Sequence, residues 1–442
     1  MKESVYNVYL LDEVGTDCIV YNVMHRSLLR IDSDVYQLMR CGKIDCIDDE
    51  FLQVLRDQGT VVDDDLNELD MLKIRFNRIK YNAASRGFTI IPTHACNLAC
   101  TYCYQGHGEV LSSTMDEKTI ERTIEFIKKN VEGCGGVGVN FYGGEPLLVP
   151  DIVFGIAEKL KHFANESGID LSVSFTSNGT LITEEIIEKF KDYNCRVQIT
   201  FCGPKEIHDT MRIDKKGTGT YEKLIRVLTL LRKHEIAFHI RVDVDQRSLG
   251  TVGTLLQDLN ERGLGGLGVA FCPISRDICY TEPDWNSKEV NVRELALLCR
   301  MAQDMGFKTA PVYIHNFVEK CSALPDSYFV IDPHGDVYKC IAASNFPEHR
   351  LGTLNEKGDI VDMNYTAYCM WTLRDPSLIE ECATCKFAPI CGGGCALAAY
   401  EKSGSINAAG CKEKELGEIV RTIVMLRYPE LFKEHTYETV VL

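Results

Sequence analysis

The chain has 442 residues, enough for two or three domains, and its 45% hydrophobic and 25% charged content excludes disordered and fibrous classes. With 48 Lys and Arg against 64 Asp and Glu, the formal charge of −16 argues against nucleic acid as a partner. The opening MKESVYNVYLLDE has no basic region ahead of an apolar one, and no run of about eighteen apolar residues occurs, so no membrane span is expected and the protein reads as cytoplasmic.

Residues 1–85 alternate strand-like runs (Val5 to Leu11, Cys18 to Met24, Ser27 to Ile31) with helical patterns over Asp34 to Arg40 and Asp49 to Asp57, followed by a short run from Thr60 to Val62. The order resembles a small winged helix-turn-helix. The acidic run Asp63-Asp64-Asp65 is expected to open an amphipathic linker helix through Leu69, Leu72, Phe76 and Ile79, its carboxylates favouring the helix N-terminus.

Over residues 86–310 the pattern becomes strand, helix, strand, helix. Strands are predicted at Phe88 to Pro92, Val137 to Tyr142, Leu171 to Thr176, Arg196 to Phe201, Ala237 to Val244 and Leu267 to Phe271. Helices are predicted at Glu117 to Lys129, Ile152 to Ala164, Thr183 to Asp192 and Tyr221 to Lys233. Such alternation implies an α/β fold with parallel strands and right-handed crossovers, either an open sheet or an open barrel. The chemistry of these folds sits at the carboxyl ends of the strands. Over residues 311–428 periodicity fades and cysteines become dense, which suggests a loop-rich domain stapled by metal. A helix is expected from Lys412 to Leu426, and 429–442 reads as a tail.

Twenty cysteines in a long chain without an export signal point to metal or cluster ligation rather than disulfides. Cys18, Cys41, Cys46, Cys134, Cys195, Cys272, Cys279, Cys299 and Cys369 are expected to be small buried hydrophobes. Directly after the first strand of the α/β region, Cys96, Cys100 and Cys103 stand at C-x3-C-x2-C spacing on one loop. Three thiolates can hold three irons of a cubane and leave the fourth open to a chelating ligand. A zinc site completed by His94 is the competing reading. Farther on come Cys321, Cys340, then Cys382-x2-Cys385-x5-Cys391-x3-Cys395, and Cys411. Two structural zinc sites would also suit these thiolates.

The first trio, with Tyr102 before its last cysteine, resembles the signature of the radical S-adenosylmethionine (SAM) superfamily. Gly143-Gly144-Glu145-Pro146 after the second strand matches that superfamily's GGEP motif, whose backbone contacts the cofactor's amino group; glycine permits the close approach. The resemblance further implies cofactor contacts from Ser177 and Asn178, and a carboxylate contact from Arg241. The seven later cysteines resemble the SPASM domain of radical peptide-modifying enzymes. In that pattern Cys382, Cys385, Cys391 and Cys411 close one auxiliary cluster, while Cys321, Cys340 and Cys395 hold another with an open iron. The family usually has an aspartate after the fourth strand where this chain has Cys202, so a thiol stands at a position expected to face the site. Both a packing cysteine and a functional, catalytic thiol remain open there.

The resemblance therefore implies a partial (β/α)6 barrel core, an N-terminal recognition module for leader peptides and a C-terminal SPASM domain. It implies three [4Fe–4S] clusters, S-adenosylmethionine and a flavodoxin or ferredoxin reductant. The expected activity is a peptide maturase: a 5′-deoxyadenosyl radical takes hydrogen from a ribosomally made precursor peptide, and a cysteine sulfur closes a thioether. Carbon–carbon crosslinking and formylglycine-generating sulfatase maturation are the alternatives within enzymes. A zinc-stapled peptide-binding protein without catalysis is the alternative of another class.

Overall fold

Alternation of apolar and polar residues near the amino terminus closes into an antiparallel meander. In the computed structural model, which describes residues 1–11, 17–105, 112–274, 290–309, 321–411, 416–418, 420–422, 424 and 428, the chain forms two compact units. One comprises residues 1–79, 311–321 and 374–442; the other comprises 80–310 and 322–373. Cys279 lies outside the described residues. Of the helix expected over 412–426, the described residues 416–418, 420–422 and 424 are helical.

The first unit begins with β1 (Lys2–Glu3), β2 (Asn7–Leu11), β3 (Asp17–Asn22) and β4 (Ser27–Asp32), then α1 (Ser33–Arg40), α2 (Asp49–Asp57), β5 (Val61–Val62) and α3 (Glu68–Lys80). β2, β3 and β4 pair in that order, and β1 pairs with β5. Cys18 and Val20 on β3 point inward two residues apart, meeting Ile31, Met39, Leu55 and Val61 in one core. Asp32 caps α1 through Val35 N at 2.7 Å, and Asp48 caps α2 through Glu50 N at 3.0 Å. The linker helix starts later than the acidic run suggests. Asp63 binds Arg56 at 2.9 Å and Asp64 binds the Met1 amino group at 2.9 Å, so those carboxylates close a turn ahead of α3. Glu68 opens the helix and accepts Val5 N at 3.0 Å.

The second unit runs β6 (Ser85–Ile90), α4 (Glu117–Val131), β7 (Gly136–Phe141), α5 (Pro150–Ser167), β8 (Asp170–Ser177), α6 (Glu184–Asp192), β9 (Arg196–Phe201), α7 (Lys205–Met211), α8 (Tyr221–Lys233), β10 (Ala237–Val244), α9 (Val252–Glu261), β11 (Gly268–Pro273), α10 (Val292–Asp304) and β12 (Lys308–Thr309). It ends with β13 (Tyr328–Ile331), β14 (Asp336–Tyr338), β15 (Gly352–Leu354), β16 (Ile360–Val361) and α11 (Tyr365–Thr372). β6 to β11 lie side by side in chain order, all parallel. Sequential order with one crossover hand stacks every helix on one face, the arrangement of an open (β/α)6 barrel rather than a doubly wound sheet. β13 joins β6 in parallel, and β14 to β16 extend the sheet antiparallel. Residues 328–361 thus add four short strands to the sheet between turns, and 322–373 pack with the barrel. Strands of two to four residues are too short to carry a readable period, which is why periodicity fades there.

The cysteines expected to be buried divide. Cys18, Cys195 and Cys299 are buried, Cys134 and Cys272 are intermediate, and Cys41, Cys46 and Cys369 are exposed. Cys41 is the cap that ends α1, and Cys46 sits in a single 3-10 turn, positions that leave little cover. No helix among the described residues is long and apolar enough to cross a membrane.

Candidate functional site

Because β6, β7, β8, β9 and β10 are parallel and in register, the residues that follow them emerge at the same end of the sheet. The loop after β6 carries Cys96, Cys100 and Cys103. It is pinned on both sides: His94 N donates to Ser113 O at 2.9 Å, Ala99 N to Ile213 O at 2.8 Å and Thr101 N to Met211 O at 3.0 Å. All three thiols are of intermediate exposure. Burial pushes the Cys96 thiol up to about 11, and Cys100 is likewise raised by burial. Uptake of a metal would therefore release protons from them. Leu98 N at 3.4 Å and Asn178 Nδ2 at 3.7 Å both donate to Cys96 Sγ. His94 is 2% exposed, its Nδ1 engages Ser113 Oγ at 3.1 Å, and burial lowers it to about 4, so it is neutral. Among the described residues, no three His, Cys, Asp or Glu groups converge as one metal ion would require.

The GGEP segment lies against this loop. Gly143 has φ +132, and a Cβ there would sit 2.5 Å from Thr93 O. A Cβ on Gly144 would sit 2.1 Å from Ala95 O and 2.4 Å from His94 O. Only glycine permits this backbone approach. Glu145 N donates to Ala95 O at 2.9 Å, and Pro146 starts a 3-10 turn. The Glu145 side chain is fully buried, accepting Asn178 N at 2.7 Å, Ser177 Oγ at 2.8 Å and Leu147 N at 3.1 Å. Burial raises its pKa while these bonds oppose the rise. Ser177 and Asn178 are 3% and 6% exposed. The Ser177 hydroxyl is engaged by Glu145 and by Gly179 N at 2.9 Å, and Asn178 reaches Asn97 Oδ1 at 2.9 Å besides Cys96. The structure thus joins the Ser-Asn-Gly turn, GGEP and the cysteine loop into one assembly in which Ser177 has a protein partner already. A three-thiol donor set, two N–H groups aimed at one sulfur and a cradle that excludes Cβ atoms fit an iron–sulfur cluster with a chelated ligand.

Behind the loop lies a buried polar network. The Tyr102 hydroxyl meets Cys202 Sγ at 3.0 Å and Asp243 Oδ2 at 2.9 Å, and accepts Arg212 Nη1 at 2.8 Å. Arg241 Nε donates to Asp243 Oδ1 at 2.6 Å, so this arginine already pairs with a carboxylate of its own strand. Cys202 is 0% exposed and packs with Tyr102, Met211 and Ile274 against Cys100. Burial drives its thiol far above the usual range. As placed, Cys202 backs the cysteine loop, enclosed against Tyr102 and Cys100. Sequence reasoning missed Arg212 and Asp243. Asp243 could have been found two residues after Arg241 on the same strand face; Arg212 ends a helix that no pattern revealed.

The first unit contains Cys321, Cys382, Cys385, Cys391, Cys395 and Cys411. Cys382 lies in a helical turn with Cys385 N bonded to its carbonyl at 3.1 Å, Cys391 ends the next turn and Cys395 precedes the helix Ala396–Ser403. Burial raises Cys382 to about 11, followed by the influence of Cys391 and Cys385, with Cys411 also near. Cys391 is raised to about 11 by burial and by Cys385, with Cys411 again near, while the Gly394 and Gly393 N–H groups oppose the rise. Cys321 and Cys395 both influence Arg374. Cys340 belongs to the second unit, where it and Cys103 both influence the Tyr104 hydroxyl, after desolvation and Tyr142. Within the first unit a groove of about 450 Å³ runs between Val5, Tyr6, Leu66 and Glu68 of the amino-terminal module and Ala383–Thr384 of the cysteine segment.

Residues 90–244 match the radical SAM superfamily. The serine-type anaerobic sulfatase-maturating enzyme of Klebsiella aerogenes is 27% identical over 330 residues, 72% of this chain and 79% of that protein. The radical SAM cyclopropyl synthase TigE of Paramaledivibacter caminithermalis is 23% identical over 445 residues, 88% of each chain. Among solved structures, anSMEcpe with bound AdoMet superposes with a TM-score of 0.61 at 21% identity, over 78% of this chain and 98% of that one. Streptococcus suis SuiB bound to precursor peptide SuiA gives a TM-score of 0.56 at 16% identity, over 93% of this chain and 99% of that one. The domain match and the curated relatives identify an enzyme of radical chemistry, and the solved structures share its fold.

Proposed function

We propose that this radical SAM enzyme is a maturase of ribosomally made peptides that closes a thioether between a cysteine sulfur and a carbon of its precursor. The observation that carries the reading is the first unit, in which the amino-terminal module and the Cys382–Cys411 segment fold together around one groove. A precursor held by the module is thereby held beside the auxiliary cysteines. β4, an edge of its three-stranded sheet, is available for strand addition, in which backbone hydrogen bonds supply affinity and side-chain pockets supply selection.

Cys96, Cys100 and Cys103 would hold the cluster that binds S-adenosylmethionine, and the bound cofactor would supply the 5′-deoxyadenosyl radical. Gly143 and Gly144 bring backbone close to the loop, Leu98 and Asn178 donate to Cys96, and Tyr102 with Arg212 fixes the loop from behind. Arg241 is 40% exposed beside Asp243 and would meet the cofactor's carboxylate. Cys382, Cys385, Cys391 and Cys411 would hold one auxiliary cluster and Cys321, Cys340 and Cys395 another. Thioether closure removes two hydrogens: one leaves as an atom with the adenosyl group, and the other as a proton plus an electron, for which auxiliary clusters are an acceptor.

The test is anaerobic incubation of the reconstituted enzyme with its precursor, reductant and S-adenosylmethionine. A loss of two hydrogens per crosslink, with one alkylatable thiol consumed, is expected. Unchanged peptide mass overturns the reading, and the same mass loss with every thiol still alkylatable assigns a carbon–carbon bond. Sulfatase maturation is a second reading, favoured by the 27% identity to the Klebsiella enzyme. A hydrazine-reactive aldehyde on a sulfatase peptide would establish it. Changing Cys96, Cys100 and Cys103 together to alanine abolishes 5′-deoxyadenosine formation under either reading.

A further inference from the structure

β10 presents Arg241 and Asp243 on one face, two residues apart, while Ile240, Val242 and Val244 are fully buried on the other. Asp243 is buried and divides its two oxygens: Oδ1 accepts Arg241 Nε at 2.6 Å, and Oδ2 accepts the Tyr102 hydroxyl at 2.9 Å. Because the phenol gives its one proton to Asp243, it meets Arg212 Nη1, 2.8 Å away, as an acceptor. The four side chains make one chain, Arg212–Tyr102–Asp243–Arg241, in which a single carboxylate links two guanidinium groups. Its ends differ. Arg212 and Tyr102 are buried, and Tyr102 stands between Cys100 and Cys103 on the cysteine loop. The Arg241 side chain is 40% exposed, and among the described residues neither of its Nη groups has a hydrogen-bond partner.

We infer that Asp243 is a positioning residue shared by two parts of the cofactor site: through Tyr102 it ties the cysteine loop to β10, and through Nε it orients Arg241. The second part rests on the reading of Arg241 as the contact for the cofactor's carboxylate. A guanidinium held by Nε keeps its Nη1–Nη2 edge for that anion. Both oxygens of a carboxylate accept, whereas asparagine offers one acceptor and one donor. Arg241 Nε can only donate and so keeps the amide oxygen of Asp243→Asn. The amide N–H then faces the phenol, whose proton is left with Cys202 Sγ, a weak acceptor 3.0 Å away. Cys202 follows the neighbouring strand β9, so a carboxylate placed there reaches the same phenol from the other side. Cys202→Asp therefore restores to Tyr102 what Asp243→Asn removes. Side chains that only fill space would add their losses instead.

Amide hydrogen exchange on the full apo chain, kept reduced, compares wild type, D243N and C202D/D243N over residues 98–104, where Ala99 N and Thr101 N bond to Ile213 O and Met211 O. D243N is expected to lose about tenfold or more in protection, the scale of a hydrogen bond to a charged group, and C202D/D243N to return to within about threefold of wild type. Unchanged protection in D243N overturns the inference, as does a double variant no better protected than D243N. Peptides of α8 report whether the barrel is folded. If D243N is not, the double variant decides: wild-type protection supports the tie, and an unfolded barrel refutes it. The Arg241 part is read on anaerobically reconstituted protein as affinity for S-adenosylmethionine, followed by the EPR change of the cluster. A wild-type cluster signal that ignores S-adenosylmethionine would end the cofactor reading itself, while exchange in the apo chain still decides the tie. C202D/D243A keeps the carboxylate at the phenol but leaves Arg241 unheld. It is expected to bind about three- to tenfold more weakly than C202D/D243N, the cost of ordering one long side chain. Equal affinity in the two double variants overturns the shared role.

Discussion

Glu145→Ala isolates the contribution of one buried carboxylate to the architecture of the site. The side chain accepts Asn178 N at 2.7 Å, Leu147 N at 3.1 Å and Ser177 Oγ at 2.8 Å, and it is fully enclosed. The serine hydroxyl can rotate, so alanine orphans two backbone N–H groups. Each buried orphan costs about 1–3 kcal/mol, which sums to about 2–6 kcal/mol. Relief from burying an ionised carboxyl offsets part of this, since burial already raises the Glu145 pKa, and the lower bound of about 2 kcal/mol is the figure to test. That energy corresponds to roughly a 30-fold change in a local opening equilibrium. Amide hydrogen exchange on the apo chain, kept reduced, reads it directly. Peptides covering 145–148 and 177–180 are expected to lose at least about 30-fold in protection, while α8 keeps its wild-type rates. Because Asn178 donates to Cys96, iron uptake by the first trio should slow as well. Unchanged protection at 177–180 would refute the claim that Glu145 joins the Ser-Asn-Gly turn to the loop.

Gly144→Ala places a methyl 2.1 Å from Ala95 O, a backbone atom that cannot swing aside, so the variant should fail to form 5′-deoxyadenosine after reconstitution. Gly155→Ala, inside α5 with nothing within 4 Å of the added carbon, serves as its control and should stabilise the chain by up to about 1 kcal/mol in urea unfolding. Iodoacetamide on native apo protein should label the exposed Cys41, Cys46 and Cys369 but not Cys202; rapid labelling of Cys202, read by peptide mass, would place that thiol in the open. Asp332 is 4% exposed and burial raises it from 3.8 to about 6, although His334 N and Asp336 N donate to it at 2.8 and 2.9 Å. Its protonated form stabilises the fold below about pH 4, and that contribution is lost as pH rises through 6. Asp332→Asn, which keeps the acceptor oxygen without the charge, should therefore match wild type near pH 4 and exceed it at pH 8 by as much as about 3 kcal/mol. A difference in urea midpoint that stays flat between those pH values would contradict the assignment.

How much of the site was legible follows from how far apart its parts lie in the chain. The trio Cys96, Cys100 and Cys103 spans one loop, and GGEP and Ser177-Asn178 each follow a strand whose bounds period-2 patterning predicts to within a few residues. Parallel order brings them to one end of the sheet without further information. Cys202 stayed open between packing and function in the sequence because position after a strand says nothing of which way a thiol points, and here it lies under Tyr102. β13 to β16 escaped notice because so few residues carry no period.

Residue order alone determined the spacing of the cysteines and the α/β alternation, since each is set within one loop or one strand–helix unit. Tertiary structure decided which groups surround those cysteines. Tyr102 meets Arg212 across 110 residues and Asp243 across 141, and Arg374 reaches Ala408 across 34. Contacts of that separation depend on how the strands and turns stack, and no local propensity encodes them.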